Sequence, residues 1–109
     1  MGQTEGNALN YEIVFAKKCG SEFKKLKKRM NPNLLKEIEQ SFDELKTNPE
    51  LGEELSQDLA GMRSIHMNKY NFRILYDVKD DPSKQIVILK IGYRKDFYPD
   101  FSRYRELHK

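Results

Sequence analysis

The stretch NFRILYDVKDDPSKQIVILKIGY, residues 71–93, decides the fold. It contains two runs, 71–78 and 85–93, that are rich in β-branched and aromatic residues and are separated by the turn-forming sequence DDPSK. The runs predict two antiparallel strands. The second run is nearly continuous in Ile, Val and Leu, which is typical of a strand that is buried on both faces at the centre of a sheet.

Two further strands are predicted upstream of this pair. MRSIHM (62–67) is separated from the run 71–78 by turn-forming asparagines, and it predicts a third antiparallel strand. YEIVFA (11–16) packs aromatic and β-branched residues into a short run and predicts an N-terminal strand.

Two helices are predicted between the N-terminal strand and the other three. Apolar residues at helical spacing indicate a first helix at 21–29. A second helix starts at Asn31, which is followed by Pro32, and stops at Asn48-Pro49. The short connection favours a helical hairpin that covers one face of the sheet. The sequence therefore predicts an α+β fold with the order β-α-α-β-β-β.

Composition bounds the class of protein. The length of 109 residues suits one domain, which we place at 11–109, and residues 1–10 lack periodicity and predict a flexible N-terminal extension. No apolar run is long enough to cross a bilayer, and the single cysteine excludes an intrachain disulfide. Cys19 is interpreted as inert packing. We expect a cytoplasmic protein with no membrane partner.

Positive charge is concentrated in the segment 17–29, which holds seven Lys or Arg residues and one acid, Glu22. A cationic helix face can be a solvated surface or a footprint for nucleic acid, and both readings stay open. The lysine and arginine residues that we take as RNA-binding candidates are Lys24, Lys25, Lys28, Arg63, Lys69 and Lys95.

Polar residues in the strands predict a site. Side chains alternate across a strand, so Arg73 lies on the face opposite the aromatic residues Phe72 and Tyr76, and the aromatic face must meet the helices. His66 can stand near Arg73 across the ladder if the turn spans residues 68–70. Arg94 and Tyr98 follow the last strand, where the chain can bring them over the same face. Because neither histidine has a companion at metal-ligand spacing, no metal or cofactor is expected.

The chain resembles the RelE/ParE superfamily of toxins from toxin–antitoxin pairs. The resemblance covers about residues 11–104 and lies in LAG (59–61), the strand pair with R-x-I and F-R-I-L-Y, and VILKIGYRKDFY (87–98). It implies a RelE-like fold, with Arg73 and the run Gly92, Arg94, Tyr98 as its most specific residues. RelE-like members cut messenger RNA in the ribosomal A site, whereas ParE-like members poison DNA gyrase.

The resemblance implies an endoribonuclease site and its partners. Neutral His66 would accept the proton of the 2′-hydroxyl, Arg73 and Arg94 would hold the charge that builds at phosphorus, and Tyr98 would donate a hydrogen bond, stack on a base or act as the acid. Some members carry two strand lysines where this chain has Ser64 and His66, so the identity of the base stays open. Tyr104 is the alternative to Tyr98.

The partners that the resemblance implies are a cognate antitoxin, the ribosome and messenger RNA. Two alternatives remain: a ParE-like inhibitor of DNA gyrase, and a relative that binds RNA without cutting it.

Overall fold

The computed structural model describes residues 10–55, 59, 61–97 and 103–104. The strands and helices in this part of the chain are β1 (Glu12–Phe15), α1 (Cys19–Lys27), α2 (Pro32–Leu45), β2 (Glu53–Glu54), β3 (Met62–Met67), β4 (Phe72–Lys79) and β5 (Gln85–Tyr93). Short 3-10 turns follow β3 and β5, at Asn68–Tyr70 and Arg94–Asp96. Apart from Asn10, the predicted N-terminal extension lies outside the described residues. No described helix has both the length and the apolar character that a membrane span requires.

The strands form one sheet in the order β1-β5-β4-β3-β2. β1 runs parallel to β5, and the other neighbours are antiparallel. The predicted α+β class and the predicted order of helices and strands are confirmed. β5 is an interior strand, between β1 and β4, rather than the middle strand of the five. The sequence prediction missed β2, whose two glutamates carry no strand pattern of their own.

The helices differ from the prediction only at their ends. α1 begins at Cys19, two residues earlier than expected, and the Cys19 N–H donates to the Ala16 carbonyl at 2.9 Å. At the start of α2 the side chain of Asn31 accepts a hydrogen bond from the Asn33 N–H at 2.7 Å, as an N-cap residue does. α2 ends at Leu45, and a turn continues to Asn48.

Three phenylalanines identify the face of the sheet that the helices cover. Phe15 of β1, Phe23 of α1 and Phe42 of α2 have ring centroids 5.8–5.9 Å apart. Phe15 pairs with Ile88 in register, and Ile88 pairs with Tyr76. Because cross-strand partners share a face, this chain of contacts assigns Tyr76, and by alternation Ile74 and Phe72, to the helix-covered face. Ile74 and Tyr76 have no exposed surface and Phe72 has 2%.

A β-bulge lies between the two halves of the β4–β5 ladder. Tyr76 pairs with Ile88, but the preceding Leu75 pairs with Lys90, so Leu89 is the extra residue. The extra residue reverses the alternation of β5. Ile88 is therefore on the helix-covered face together with Ile91, while Lys90 is turned to the other face.

The loop that precedes β2 is anchored on the helix-covered side. The Tyr76 hydroxyl donates to the Pro49 carbonyl at 2.7 Å and accepts from the Gly52 N–H at 2.8 Å. Arg63 Nε donates to the Gly52 carbonyl at 2.8 Å. A Cβ on Gly52 would lie 2.9 Å from both the Ser64 carbonyl oxygen and the Tyr76 ring, so the close approach requires glycine here. These contacts fix β2 beside β3 and set Glu53 opposite Ser64.

Candidate active site

His66 and Arg73 stand directly opposite each other on β3 and β4. The turn between the strands sets this register: residues Asn68–Tyr70 form a 3-10 turn, and Asn71 takes the left-handed conformation, with φ 52°. Asparagine tolerates that conformation better than most residues do. Since cross-strand partners share a face, His66 and Arg73 lie together on the face opposite the helices. The structure therefore has the pairing that the sequence predicted.

Arg94 completes a cationic cluster with these two residues. Gly92 of β5 is the register partner of Arg73, and Arg94 follows two residues later, with its N–H donating to the Asn71 carbonyl at 2.7 Å. Burial is the main cause of the lowered pKa of Arg73, and the charge of Arg94 adds to it. A guanidinium group stays charged despite such a shift. Two permanent cations and an imidazole are thus within electrostatic range of one another.

The environment of His66 favours the neutral imidazole. Burial lowers its pKa from the ordinary value of 6.5, and the charges of Arg73 and Arg94 lower it further, against an opposing effect of Glu53. The side chain remains 36% exposed, so a ligand can reach it. A neutral and accessible imidazole at physiological pH can accept a proton.

Two neighbours of His66 were not assigned a role from the sequence. Ser64 Oγ lies 3.3 Å from His66 Nε2, and Glu53 Oε1 lies 4.0 Å from the same nitrogen. Ser64 is almost fully buried, whereas Glu53 is exposed. The spacing of two residues along β3 already places Ser64 and His66 on one face and was the signal available for Ser64. Glu53 had no comparable signal, because β2 was not predicted.

The segment that follows β5 lies over part of the Arg73 face. The Arg73 guanidinium carbon is 5.4 Å from the centroid of the Phe97 ring, and the Phe97 ring contacts the Tyr104 ring at 5.8 Å. Tyr104 is 2% exposed and interacts electrostatically with Arg73. Tyr98 lies outside the described residues, so its role stays a prediction. Tyr104, the alternative, is the tyrosine that the structure describes beside Arg73.

The predicted RNA-binding cations fall into separate groups. Lys69 and Lys95 are exposed in the 3-10 turns that flank the cluster, and the Lys69 ammonium lies 5.7 Å from the centroid of the Tyr70 ring. Arg63 pairs with Tyr76 and is on the helix-covered face, where it holds the Gly52 carbonyl. The structure therefore separates Arg63 from the cluster.

The other predicted RNA-binding lysines lie in α1 or directly after it. Lys24, Lys25 and Lys28 are exposed, and Lys24 lines a groove with Phe15 and Phe42 on the helix-covered side. Their role in binding RNA stays a prediction.

The structure also explains the state of the Cys19 thiol and the pairing of the Lys90 ammonium group. Cys19 is buried, and burial raises the pKa of its thiol to about 12, which keeps it protonated and unreactive. Lys90, which the bulge turns to the Arg73 face, forms an ion pair of 3.2 Å with Glu22 of α1. Within the described ranges, no three His, Cys, Asp or Glu side chains are close enough to hold a metal ion.

Solved structures give the class of the fold. The free state of an arginine double mutant of E. coli toxin RelE has a TM-score of 0.64 and 13% identity, covering 91% of this chain and 94% of that one. The YoeB/ParE toxin from Agrobacterium tumefaciens has a TM-score of 0.61 and 17% identity, covering 75% and 97%. The same E. coli RelE mutant in complex with a RelBc antitoxin peptide has a TM-score of 0.60 and 16% identity, covering 92% and 96%. This chain has the fold of RelE-like toxins.

The sequence then gives the family. A family model described as the ParE-like toxin of type II bacterial toxin–antitoxin systems matches residues 18–102. The match spans most of the 109 residues, and the chain belongs to this family. A search of curated proteins finds no significant match.

Proposed function

We propose that this toxin is an endoribonuclease that cuts messenger RNA in the ribosomal A site and thereby stops translation. The observation that carries the proposal is the direct cross-strand pairing of His66 with Arg73, with Arg94 close enough to lower the pKa of both. A proton acceptor beside two fixed cations suits the cleavage of a phosphodiester by its own 2′-hydroxyl.

The reaction follows from the groups in the cluster. His66 takes the proton of the 2′-hydroxyl, and the oxygen attacks the neighbouring phosphorus. The bond from phosphorus to the 5′-oxygen breaks, and that oxygen takes up a proton as it leaves. The products are a 2′,3′-cyclic phosphate and a 5′-hydroxyl. The planar donor groups of Arg73 and Arg94 match phosphate oxygens and stabilise the negative charge that builds on them.

The source of the proton for the leaving oxygen is a tyrosine in this proposal. Tyr98 keeps the role that the resemblance implies, and Tyr104 is the second candidate, because it is near Arg73. A tyrosine with an ordinary pKa of about 10 is protonated at physiological pH and can donate.

The ribosome supplies what this small cluster lacks. Holding the RNA in a bent and oriented state can contribute many orders of magnitude to the rate of a reaction between neighbouring groups. We therefore expect free RNA to be cut poorly. The site of action is the cytoplasm, and the second partner is a cognate antitoxin that covers or distorts the cationic face. The antitoxin peptide bound to the E. coli RelE mutant supports a partner of this kind.

Inhibition of DNA gyrase is the second candidate function, and the ParE-like description of the matching family favours it. A protein docking surface needs no proton acceptor beside paired cations, which is why the arrangement around His66 supports cleavage more strongly. A relative that binds RNA without cutting it would keep the cations but would not depend on His66.

Mapping of messenger RNA ends tests the proposal. The toxin is induced in cells, and the 5′ ends of messages are located by primer extension for the wild type, His66→Ala and Arg73→Ala. Lys36→Ala, which removes an exposed cation from α2, is the matched control. We expect cuts within codons for the wild type and the control, and weak or absent cuts for the two site variants. Intact messages together with gyrase-linked DNA breaks in the wild type would overturn the nuclease and favour the second candidate.

A further inference from the structure

An open groove lies at the end of the sheet where the turn joins β3 to β4 and where β5 ends. It has a volume of about 660 Å³ and is lined by Tyr70, Asn71, Tyr93, Arg94 and Lys95; we call it the tyrosine groove. Two features of the backbone form it. The left-handed residue Asn71 turns the chain between β3 and β4, and the hydrogen bond from the Arg94 N–H to the Asn71 carbonyl ties the end of β5 to this turn.

The lining combines aromatic surface with positive charge. Tyr70 and Tyr93 are half-buried, and Phe72 supports Tyr93 through an edge contact with ring centroids 5.1 Å apart. Arg94 and Lys95 are exposed, and no carboxylate is among the described lining residues. Aromatic rings that stack on bases, next to cations that contact phosphates, are the features with which proteins bind single-stranded nucleic acid.

Arg94 connects the groove to the cationic cluster. It lines the groove, and its charge also lowers the pKa of His66 and of Arg73. Tyr93 pairs with Phe72 and therefore lies on the helix-covered face, one residue after Gly92, the register partner of Arg73. A strand of RNA with its phosphate at Arg73 therefore reaches the groove by passing Arg94 at the end of the sheet.

We propose that the tyrosine groove binds a nucleotide of single-stranded RNA that neighbours the cleaved phosphodiester, with its base stacked on Tyr70 and its phosphate held by Arg94 and Lys95. The inference rests on the proposed nuclease function and extends it to the recognition of the substrate. The amide of Asn71 supplies a donor and an acceptor at the rim, where it can hydrogen-bond the edge of the stacked base.

Binding of a short single-stranded RNA, measured by fluorescence anisotropy at fixed low salt, tests the groove. The RNA carries 2′-deoxy sugars so that it cannot be cut. Tyr70→Ala is expected to weaken binding about 5- to 150-fold, the range for loss of one stacking contact. Tyr70→Phe keeps the aromatic face and is expected to bind as the wild type does. Tyr11→Phe, which removes the hydroxyl that donates to Asp80 far along the chain, is the matched control.

The salt dependence gives a second readout that a loss of folding would not produce. Lys95→Ala is expected to reduce the slope of log affinity against log salt by about 0.7, the value for one phosphate contact in a single strand. Circular dichroism confirms that each variant is folded before binding is measured. If folded Tyr70→Ala and Lys95→Ala bind the RNA as the wild type does, the groove is not an RNA site.

The failure of this inference is distinct from the failure of the proposed function. Cleavage that depends on His66 together with unchanged RNA binding by Tyr70→Ala would keep the nuclease and overturn the groove. Tyr70→Ala that binds RNA as the wild type does, but is no longer neutralised by a co-expressed antitoxin, would also overturn the groove as an RNA site. That result would assign the groove to the protein partner. Weaker binding by Tyr70→Ala in a protein that leaves messages intact would support the groove and overturn the nuclease.

Discussion

The two faces of the sheet at β3 and β4 differ sharply in composition, although they are made by alternate residues of the same strands. The helix-covered face carries Phe72, Ile74 and Tyr76, which are buried, and the Tyr76 hydroxyl is bonded to the loop that precedes β2. The other face carries His66 and Arg73, which are partly exposed. The comparison shows that the period of two in a strand lets one segment stabilise the fold and present a polar cluster at the same time.

The face that carries His66 and Arg73 is polar only at the end of the strands near the β3–β4 turn. Farther along, Met62 and Leu75 are on the same face as His66 and have no exposed surface. The polar cluster therefore occupies the part of this face near the β3–β4 turn, and the remainder is packed. Placing charged groups near solvent keeps the cost of their desolvation small.

The largest effect is expected from a change on the helix-covered face. Ile74→Ala should lower the free energy of unfolding by about 2–5 kcal/mol, because it removes a fully buried side chain and leaves a cavity. His66→Ala, on the other face, should change it by less than about 0.5 kcal/mol, as surface substitutions usually do. Urea denaturation of both variants measures the difference. A similar loss for both would contradict the division of roles between the faces.

The second effect concerns pH. The folded pKa of His66 is below the unfolded value of about 6.5, so between these values the unfolded chain binds the proton and the folded chain does not. The stability that neutral His66 contributes is present above pH 6.5 and is lost as the pH falls through the folded pKa. Cleavage should follow the same group: constant from pH 8 to about 6.5, and about tenfold slower per pH unit below the folded pKa.

Rates in a translating extract and urea denaturation at each pH measure the two curves. His66→Gln should lose this part of the pH dependence of stability. The variant thereby distinguishes the titration of His66 from that of His108, the other histidine of the sequence, which lies outside the described residues. A cleavage rate that titrates with a midpoint above pH 7 would show that another group is the base.

The smallest effect is expected at Ser64. Its hydroxyl is 3.3 Å from His66 Nε2 and can fix the orientation of the imidazole. Ser64→Ala should slow cleavage by about 2- to 10-fold, the equivalent of a hydrogen bond worth about 0.5–1.5 kcal/mol. Ser41→Ala on α2 is the control. An unchanged rate for Ser64→Ala with an unchanged pH profile would show that the contact does not position the base.

The sequence determined most of the fold because its strands carry strong local patterns. The runs that became β3, β4 and β5 were bounded to within one residue, since the β-branched residues and the turn asparagines act locally. β2 and the bulge at Leu89 depend on distant partners. β2 is held by Gly52, whose N–H reaches the Tyr76 hydroxyl across 24 positions of sequence. No window of sequence around Glu53 contains that information.

The candidate site shows the same limit. Alternation and the turn were enough to pair His66 with Arg73, and the same rule, applied to β3, would have placed Arg63 on the opposite face from His66. Glu53 lies near His66 only because β2, a strand that was not predicted, pairs with β3. The order of residues in the C-terminal segment favoured Tyr98 as the tyrosine of the site, whereas packing brings Tyr104 to Phe97 and Arg73.

Two arginines on opposite faces of the same strand pair provide the most direct test of the account. The measurement is the single-turnover rate at which ribosome-bound messenger RNA is cut by Arg73→Ala and by Arg63→Ala, at a temperature where both are folded. For Arg73→Ala we expect a loss of about 2.7–4 kcal/mol of transition-state stabilisation, or about 100- to 1,000-fold in rate. Arg63→Ala should be less stable but cut at the rate of the wild type. Equal losses in the two variants, or full activity of Arg73→Ala, would contradict a catalytic centre on the face opposite the helices.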